Sequence, residues 1–314
     1  MLDGRGDGLV AGHDVKGAAI LIDLGDKIIN GRGKMLIGGV PATLSWQHIV
    51  GGAADRQPPV RLSATLDDAD RTQLGMAVNH IVQGEVGLDV TIDPAVGIAG
   101  GAHVRADLTK ADVAIESLAW RKPVGEEAAV EFDVVVKDKL PTAFTNIRLS
   151  AEGVAARGQA ELAPDRRIVS FDLPQVTINH VSRLEIRGQR RKPNIWRVSV
   201  RGQTYEGRDF FRSLFSAGQI RDGSTGGRVP EPGLDLDVRI ANVLGFWNAS
   251  LKDVSLDLSK RQGRIKELVA FATLRSGKKL SVRVEEPRGD GPRELAAATD
   301  DAGAAFEVVG FYPN

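Results

Sequence analysis

The chain contains few residues that could carry out chemistry, and their spacing favours none of the common catalytic or metal sites. It has no cysteine, which excludes zinc-thiolate sites, iron–sulfur clusters and disulfides. No H-E-x-x-H motif is present, and the histidines lack metal-ligand spacing on one element. These histidines are His13, His48, His80, His103 and His180. The sequence therefore predicts no metal site.

The acidic residues favour structural roles as well. Adjacent carboxylates stand at predicted turns or helix starts, where Asp side chains cap the free N–H groups of a first helical turn. These pairs are Asp67-Asp68, Glu126-Glu127, Glu285-Glu286 and Asp300-Asp301. The glycine-rich stretch 30–39 lacks the spacing of a phosphate-binding loop, and the chain has no G-x-S-x-G motif. The sequence therefore predicts neither an enzyme nor a bound cofactor.

The composition is that of a folded and electrically neutral chain. Its 314 residues, 42% of them hydrophobic, suffice for one to three domains. The 41 basic and 41 acidic residues cancel, and nucleic-acid binding needs a basic surface, so no nucleic-acid partner is predicted. The first residues lack the pattern of a signal peptide. The longest apolar runs fall well short of the roughly 18 residues that a membrane helix requires.

Most of the chain alternates apolar and polar residues with the period of a half-buried strand. Residues 234–243, L-D-L-D-V-R-I-A-N-V, are a clear example. Successive side chains of a strand point to opposite faces, so this segment has one apolar and one charged face. Similar stretches recur along the chain, separated by short turns. Because hairpins need only a few linking residues, this spacing predicts an antiparallel sheet.

A few short helices interrupt the strands. We predict them near 68–76, 207–217 and 300–311. The first and the last each follow an Asp pair and end in glycine, which indicates a loose internal repeat. The segment 218–233 is rich in Gly, Ser, Thr and Pro and predicts a linker. The predicted organisation is a strand-rich segment over 1–217, this linker, and a second, truncated segment over 234–314.

The apolar face of such a sheet must be covered, and the predicted helices can shield only a few strands. Two arrangements remain. The strands pack against one another as a closed sandwich, or they form an open trough that binds something apolar. The predicted lining of the trough is Val130, Phe132, Val134, Val136, Leu234, Leu236, Val238, Ile240, Val254, Leu256, Leu258, Leu280, Val282 and Val284.

Four stretches of the chain resemble a known family. They are 61–93 (RLSATLDDADRTQLG and onward), 130–176 (VEFDVVVKDKL and onward), 253–274 (DVSLDLSKRQGRIKELVAFATL) and the closing DDAGAAFEVVGFYPN. They resemble the periplasmic body of AsmA-like proteins, in particular the large YhdP-type branch. The resemblance rests on repeated strand patterns over essentially the whole chain, without catalytic signatures. It implies a mainly β fold in which a long curved antiparallel sheet forms a repeating, taco-like β-groove.

The resemblance also implies a function. Members of this family carry an inner-membrane helix ahead of a β-groove that bridges the envelope of diderm bacteria and conducts phospholipid. We therefore expect an internal, periplasmic segment of a membrane-anchored lipid-transport protein that serves outer-membrane biogenesis. Its expected partners are phospholipid acyl chains and envelope proteins of the inner and outer membranes. The alternative is a non-catalytic β-sandwich module with an interaction or structural role in an exported protein.

Overall fold

A computed structural model of the protein describes residues 6–10, 13–76, 78–95, 101–115, 120–138, 140–191, 194–216, 233–261, 264–285 and 294–311. Strands account for 68% of the structure, and the helices are few and short. This confirms the prediction of a mainly β fold. Two compact units are present, and each is described by itself.

The helices lie where the sequence predicts them. They are α1 (Asp68–Gln73), α2 (Arg208–Ser216) and α3 (Ala302–Val309), and a short 3-10 turn spans Ala54–Arg56. The Asp67 carboxylate accepts the Asp70 N–H at 2.8 Å, and the Asp70 carboxylate accepts the Asp67 N–H at 3.1 Å. This reciprocal capping box fixes the start of α1. Asp301 caps α3 by accepting the Ala304 N–H at 3.0 Å.

The first unit comprises Met1–Glu116, Arg121–Glu152 and Gly158–Ile168. Each strand of its main ladder pairs antiparallel with the next one named. In this order the strands are β1 (Gly6–Val10), β2 (His13–Leu24), β3 (Ile28–Ile37), β4 (Val40–Ile49), β5 (Val60–Leu66), β7 (Val86–Ile92), β8 (Ala102–Asp107), β11 (Ala128–Lys137) and β12 (Leu140–Ala151).

A small second sheet contains β6 (Val82–Gly84), β9 (Ala111–Ile115) and β10 (Trp120–Lys122). The most completely buried apolar side chains of the first unit include Leu66 of β5 and Ala111 of β9. The Arg71 guanidinium of α1 donates to the carbonyls of Val82 and Gly84 in β6. These hydrogen bonds join helix α1 to the small sheet.

The second unit comprises Ser117–Trp120, Gly153–Arg157 and Val169–Asn314. Its strands pair consecutively. They are β14 (Ile168–Ile178), β15 (Ser182–Arg191), β16 (Ile195–Glu206), β17 (Gly233–Leu244), β18 (Ser250–Arg261), β19 (Arg264–Leu274), β20 (Lys279–Glu285) and β21 (Glu294–Thr299). The remaining strand, β13 (Val154–Leu162), is divided between the two units.

One pairing corrects the prediction of a wholly antiparallel sheet. Strands β16 and β17 run parallel, with Trp196 opposite Leu234 and Val200 opposite Val238. Parallel neighbours need a long crossover connection, usually one that contains a helix, and α2 lies in this connection. Residues 217–232, which include nearly all of the predicted linker 218–233, lie outside the described residues. The predicted segment boundaries stay a prediction.

Candidate functional site

The apolar face of the second unit is built from side chains that lie opposite one another across neighbouring strands. Two rows run across β17, β18, β19 and β20, and both contain residues that the sequence predicts to line a trough. The first row is Leu236, Leu258, Leu268 and Val284. The second row is Val238, Leu256, Ala270 and Val282. All of these side chains are half-buried.

The same face continues toward α3 and becomes buried there. Ile240 pairs with Val254, and Leu280 pairs with Ala272. Ile240 and Ala272 are buried, as is Val308 of α3, while Val254 and Leu280 remain half-buried. The Val308 carbonyl accepts the Phe246 N–H at 3.1 Å, which holds the helix against this end of the unit. The face is therefore more buried toward the end of β17 that leads to α3, and it is more accessible along the two rows.

The opposite face of the same strands is charged, as the alternation in 234–243 predicts. Arg201 forms an ion pair with Asp237 at 2.8 Å, and Arg261 pairs with Asp235 at 2.7 Å. The hydrogen bond from Arg201 is the main reason that the pKa of Asp237 lies below its ordinary value. Arg239 pairs with Asp257 at 3.1 Å. These carboxylates are part of a solvated surface network and not of a desolvated acid–base pair.

In the first unit, the predicted residues of β11 also lie among apolar cross-strand neighbours. Val130 is opposite Leu149 of β12 and Ala106 of β8. Phe132 is opposite Val104, and its ring centroid lies 4.8 Å from that of Phe144. Val134 is opposite Phe144 and Ala102, and Val136 is opposite Pro141. All four predicted residues are half-buried.

Other parts of the first unit are more closed. Met35, Ile37, Ala42 and Leu62 form a buried apolar cluster, against which Leu44, Ala64 and Val90 pack. A depression of about 650 Å³ lies beside these strands. Its lining mixes apolar residues such as Leu88 with polar ones such as Lys34 and Asp89, and it contains none of the predicted lining residues.

Several residues of the apolar face of the second unit were not predicted from the sequence. Val198 lies opposite Leu236, and Ile186 lies opposite Val200 in the neighbouring row. The Phe171 ring lies across Gly188, where an added Cβ would come within 2.2 Å of a ring carbon. The alternation of apolar and polar residues in 167–174, 182–188 and 195–202 indicates that these residues lie on an apolar strand face. It does not show which strands are neighbours of β17.

Two fully buried cations have structural partners. The Arg71 side chain is 2% exposed and donates to the carbonyls of Leu66, Val82 and Gly84 and to the Asn79 side chain. It also pairs with Asp68. Lys122 donates to the carbonyls of Leu108 and Ala111, each at 2.7 Å. Both side chains donate to several backbone carbonyls at once, so these contacts are structural.

One histidine contacts a carboxylate. The Nδ1 atom of His103 lies 2.8 Å from an Asp133 oxygen, and Asn146 donates to the other oxygen at 2.7 Å. Hydrogen bonds from Asn146 and then from His103 lower the pKa of Asp133. The His103 side chain is 51% exposed, so this is a solvent-facing cross-strand contact without the desolvation typical of a catalytic dyad.

No group of three His, Asp or Glu side chains among the described residues is placed to hold a metal ion. None of the described helices has the length and apolar character needed to span a membrane. Comparison of the chain with protein-family models, with curated proteins and with solved structures gave no match.

Proposed function

We propose that the half-buried apolar face of each unit binds phospholipid acyl chains. In this proposal the protein is a periplasmic segment of an AsmA-like envelope protein that conducts phospholipid between the inner and outer membranes. The supporting observation is the pair of rows that contain Leu236 and Val238. They are apolar across four consecutive strands and remain half-buried, while the opposite face of β17 carries ion-paired carboxylates.

The hydrophobic effect would supply the affinity. Each acyl methylene that leaves water contributes about 0.8 kcal/mol, so a few methylenes per row suffice for transient binding. Charged side chains cannot take the place of the two rows, because a carboxylate against an acyl chain loses its hydration without compensation. The lipid therefore lies on the Leu236 side of β17 and not on the Asp237 side.

Site-specific photo-crosslinking tests the proposal. A photoreactive residue at position 236, 238 or 258 should capture phospholipid, and one at 235 or 237 should not. The positions alternate along the same strands, so each face serves as the matched control for the other. Equal capture on both faces, or capture at none of these positions, would reject lipid binding by this face.

A second candidate function is a β-sandwich module with an interaction or structural role. The buried cluster of Met35, Ile37, Ala42 and Leu62 favours it, because a closed core is what such a module requires. Mass spectrometry of organic extracts from the purified chain separates the two candidates. Co-purified phospholipid supports the lipid proposal, and a lipid-free, stably folded chain supports the module.

A further inference from the structure

The apolar face of the second unit ends in cationic side chains at the end of β17 farthest from α3. Arg190 lies opposite Trp196, Trp196 opposite Leu234, and Leu234 opposite Lys260. Each of these residues is two positions along its strand from a residue of the row that contains Leu236. Because strand side chains alternate with a period of two, all four share the apolar face. We call Arg190, Trp196, Leu234 and Lys260 the end row.

The guanidinium of Arg190 has a neutral partner. Its Nε donates to the Asn194 side-chain oxygen at 3.0 Å, and its Nη2 donates to the same oxygen. On the charged face, by contrast, Arg187 pairs with Asp172 and Arg201 pairs with Asp237. Among the described residues, no carboxylate forms an ion pair with Arg190, although its side chain is half-buried. Arg190 therefore places a half-buried positive charge in the end row.

Trp196 lies opposite Arg190 on the neighbouring strand. Its ring centroid lies 5.5 Å from that of Phe171, so its body packs on the apolar face while the side chain remains half-buried. An indole suits a boundary of this kind because it combines a large apolar surface with one N–H donor. Lys260 lies two residues beyond Leu258 on the same strand, so its side chain starts on the apolar face.

We infer that Arg190 of the end row binds the headgroup phosphate of an anionic phospholipid whose acyl chains lie on the Leu236 and Val238 rows. This inference rests on the proposed function and adds the charge of the ligand. Two residues of a strand span about 6.6 Å, so a phosphate at the end row lies directly beside the first acyl contacts. A guanidinium can donate two parallel hydrogen bonds to phosphate oxygens, which suits Arg190 to this contact.

Binding of two lipids with identical acyl chains tests the inference on the full chain. The probes are dispersed phosphatidylglycerol, which is anionic, and phosphatidylcholine, which is zwitterionic. We expect the wild-type protein to bind phosphatidylglycerol about tenfold more tightly, as a difference of one or two charge-assisted contacts allows. The variant Arg190→Gln should lose most of this preference, and its affinity for phosphatidylcholine should fall less than its affinity for phosphatidylglycerol, because the choline ammonium offsets the charge of the phosphate.

Matched variants separate recognition from folding. Arg197→Gln removes an exposed cation from the opposite face of β16 and should keep the preference. Arg190→Lys retains the positive charge and should keep part of the preference, and thermal melts establish that each variant is folded. A folded Arg190→Gln variant that keeps the full preference would overturn the inference.

The remaining outcomes are equally decisive. Equal binding of the two lipids by the wild-type protein overturns the preference for an anionic headgroup but leaves acyl-chain binding intact. If inorganic phosphate competes with an affinity equal to that of phosphatidylglycerol, the end row is a simple anion site. That result would also overturn the inference. Failure of the wild-type protein to bind either lipid rejects the proposed function together with the inference.

Discussion

At the scale of single residues, Arg71 of α1 forms hydrogen bonds with strands β5 and β6 of the first unit. It satisfies the carbonyls of Leu66, Val82 and Gly84 from a buried position. We expect Arg71→Ala to lower the free energy of unfolding by about 3–5 kcal/mol, because it leaves buried acceptors without donors. Urea denaturation measures the loss. Arg61→Ala, at an exposed position of β5, should change stability by less than about 0.5 kcal/mol, and equal losses in the two variants would contradict this prediction.

Tyr205 gives a prediction about alkaline pH. Burial is the main cause that raises the pKa of its phenol to about 12 from the ordinary value of 10.0. A raised pKa in the folded state means that the neutral phenol contributes stability below pH 10 and that this contribution is lost as the pH rises toward 12. The chain has 2 tyrosines, so Tyr312→Phe leaves Tyr205 as the only phenol.

Ultraviolet titration of the Tyr312→Phe variant checks this directly. Phenolate absorbance should develop near pH 12 while the chain is folded. In urea, where the burial is removed, it should develop near pH 10. Coincident titration curves in the two conditions would show that Tyr205 is solvated in the native protein. Tyr205→Phe should also retain its stability further into the alkaline range than the wild-type chain.

At the scale of elements, β2 has an exposed apolar segment. Ile20, Leu21, Ile22 and Leu24 are 47%, 52%, 51% and 79% exposed. The strand pairs with β3 on one edge, and on its other edge the described pairing with β1 joins only His13 and Val15 to partners. Exposed apolar edge strands favour pairing between chains. We therefore predict that Leu21→Lys/Ile22→Lys lowers self-association.

Light scattering at rising protein concentration measures this effect. The control is Val124→Lys, which adds one charge at another apolar position, 62% exposed and in the turn after β10. The control should associate like the wild-type chain. Equal improvement in both variants would assign the effect to net charge and not to the edge of β2.

The helices and the crossover show what could be predicted about the elements. The Asp67 and Asp301 caps mark the starts of α1 and α3 in the sequence because Asp side chains bond to local N–H groups. The parallel pairing of β16 with β17 was predicted wrongly. A helix and a long polar segment lie between the two strands in the sequence, and together they indicate a crossover connection. The prediction instead followed the short hairpin turns that join most of the other strands.

At the scale of the whole molecule, Phe132→Asp distinguishes an accessible face from a closed core. Phe132 is half-buried and packs on Phe144. On an accessible face the carboxylate stays hydrated, so we expect the loss of about 1 kcal/mol from the aromatic pair together with weaker lipid binding. In a sandwich the same change buries an unpaired charge and costs several kcal/mol. Thermal melts and lipid-binding assays of the variant distinguish the two cases. Val124→Asp, at an exposed position, is the control.

Local patterns in the sequence were enough to establish which residues share a strand face. The alternation in β17 placed Leu236 and Val238 on one side and Asp235 and Asp237 on the other, and the structure has this arrangement. A short window suffices here because the strand period follows from backbone geometry. The helix starts could be predicted for the same reason, since the capping contacts span only three residues.

Long-range packing, in contrast, determined which strands are neighbours and what fraction of each apolar face is buried. Leu236 and Ile240 follow the same alternation in the sequence, yet Leu236 is half-buried and Ile240 is buried near α3. The end row depends on the same kind of information. Arg190, Trp196 and Lys260 come from separate strands, and cross-strand register alone brings them together. Register is set by pairing between distant segments, which no local window of sequence contains.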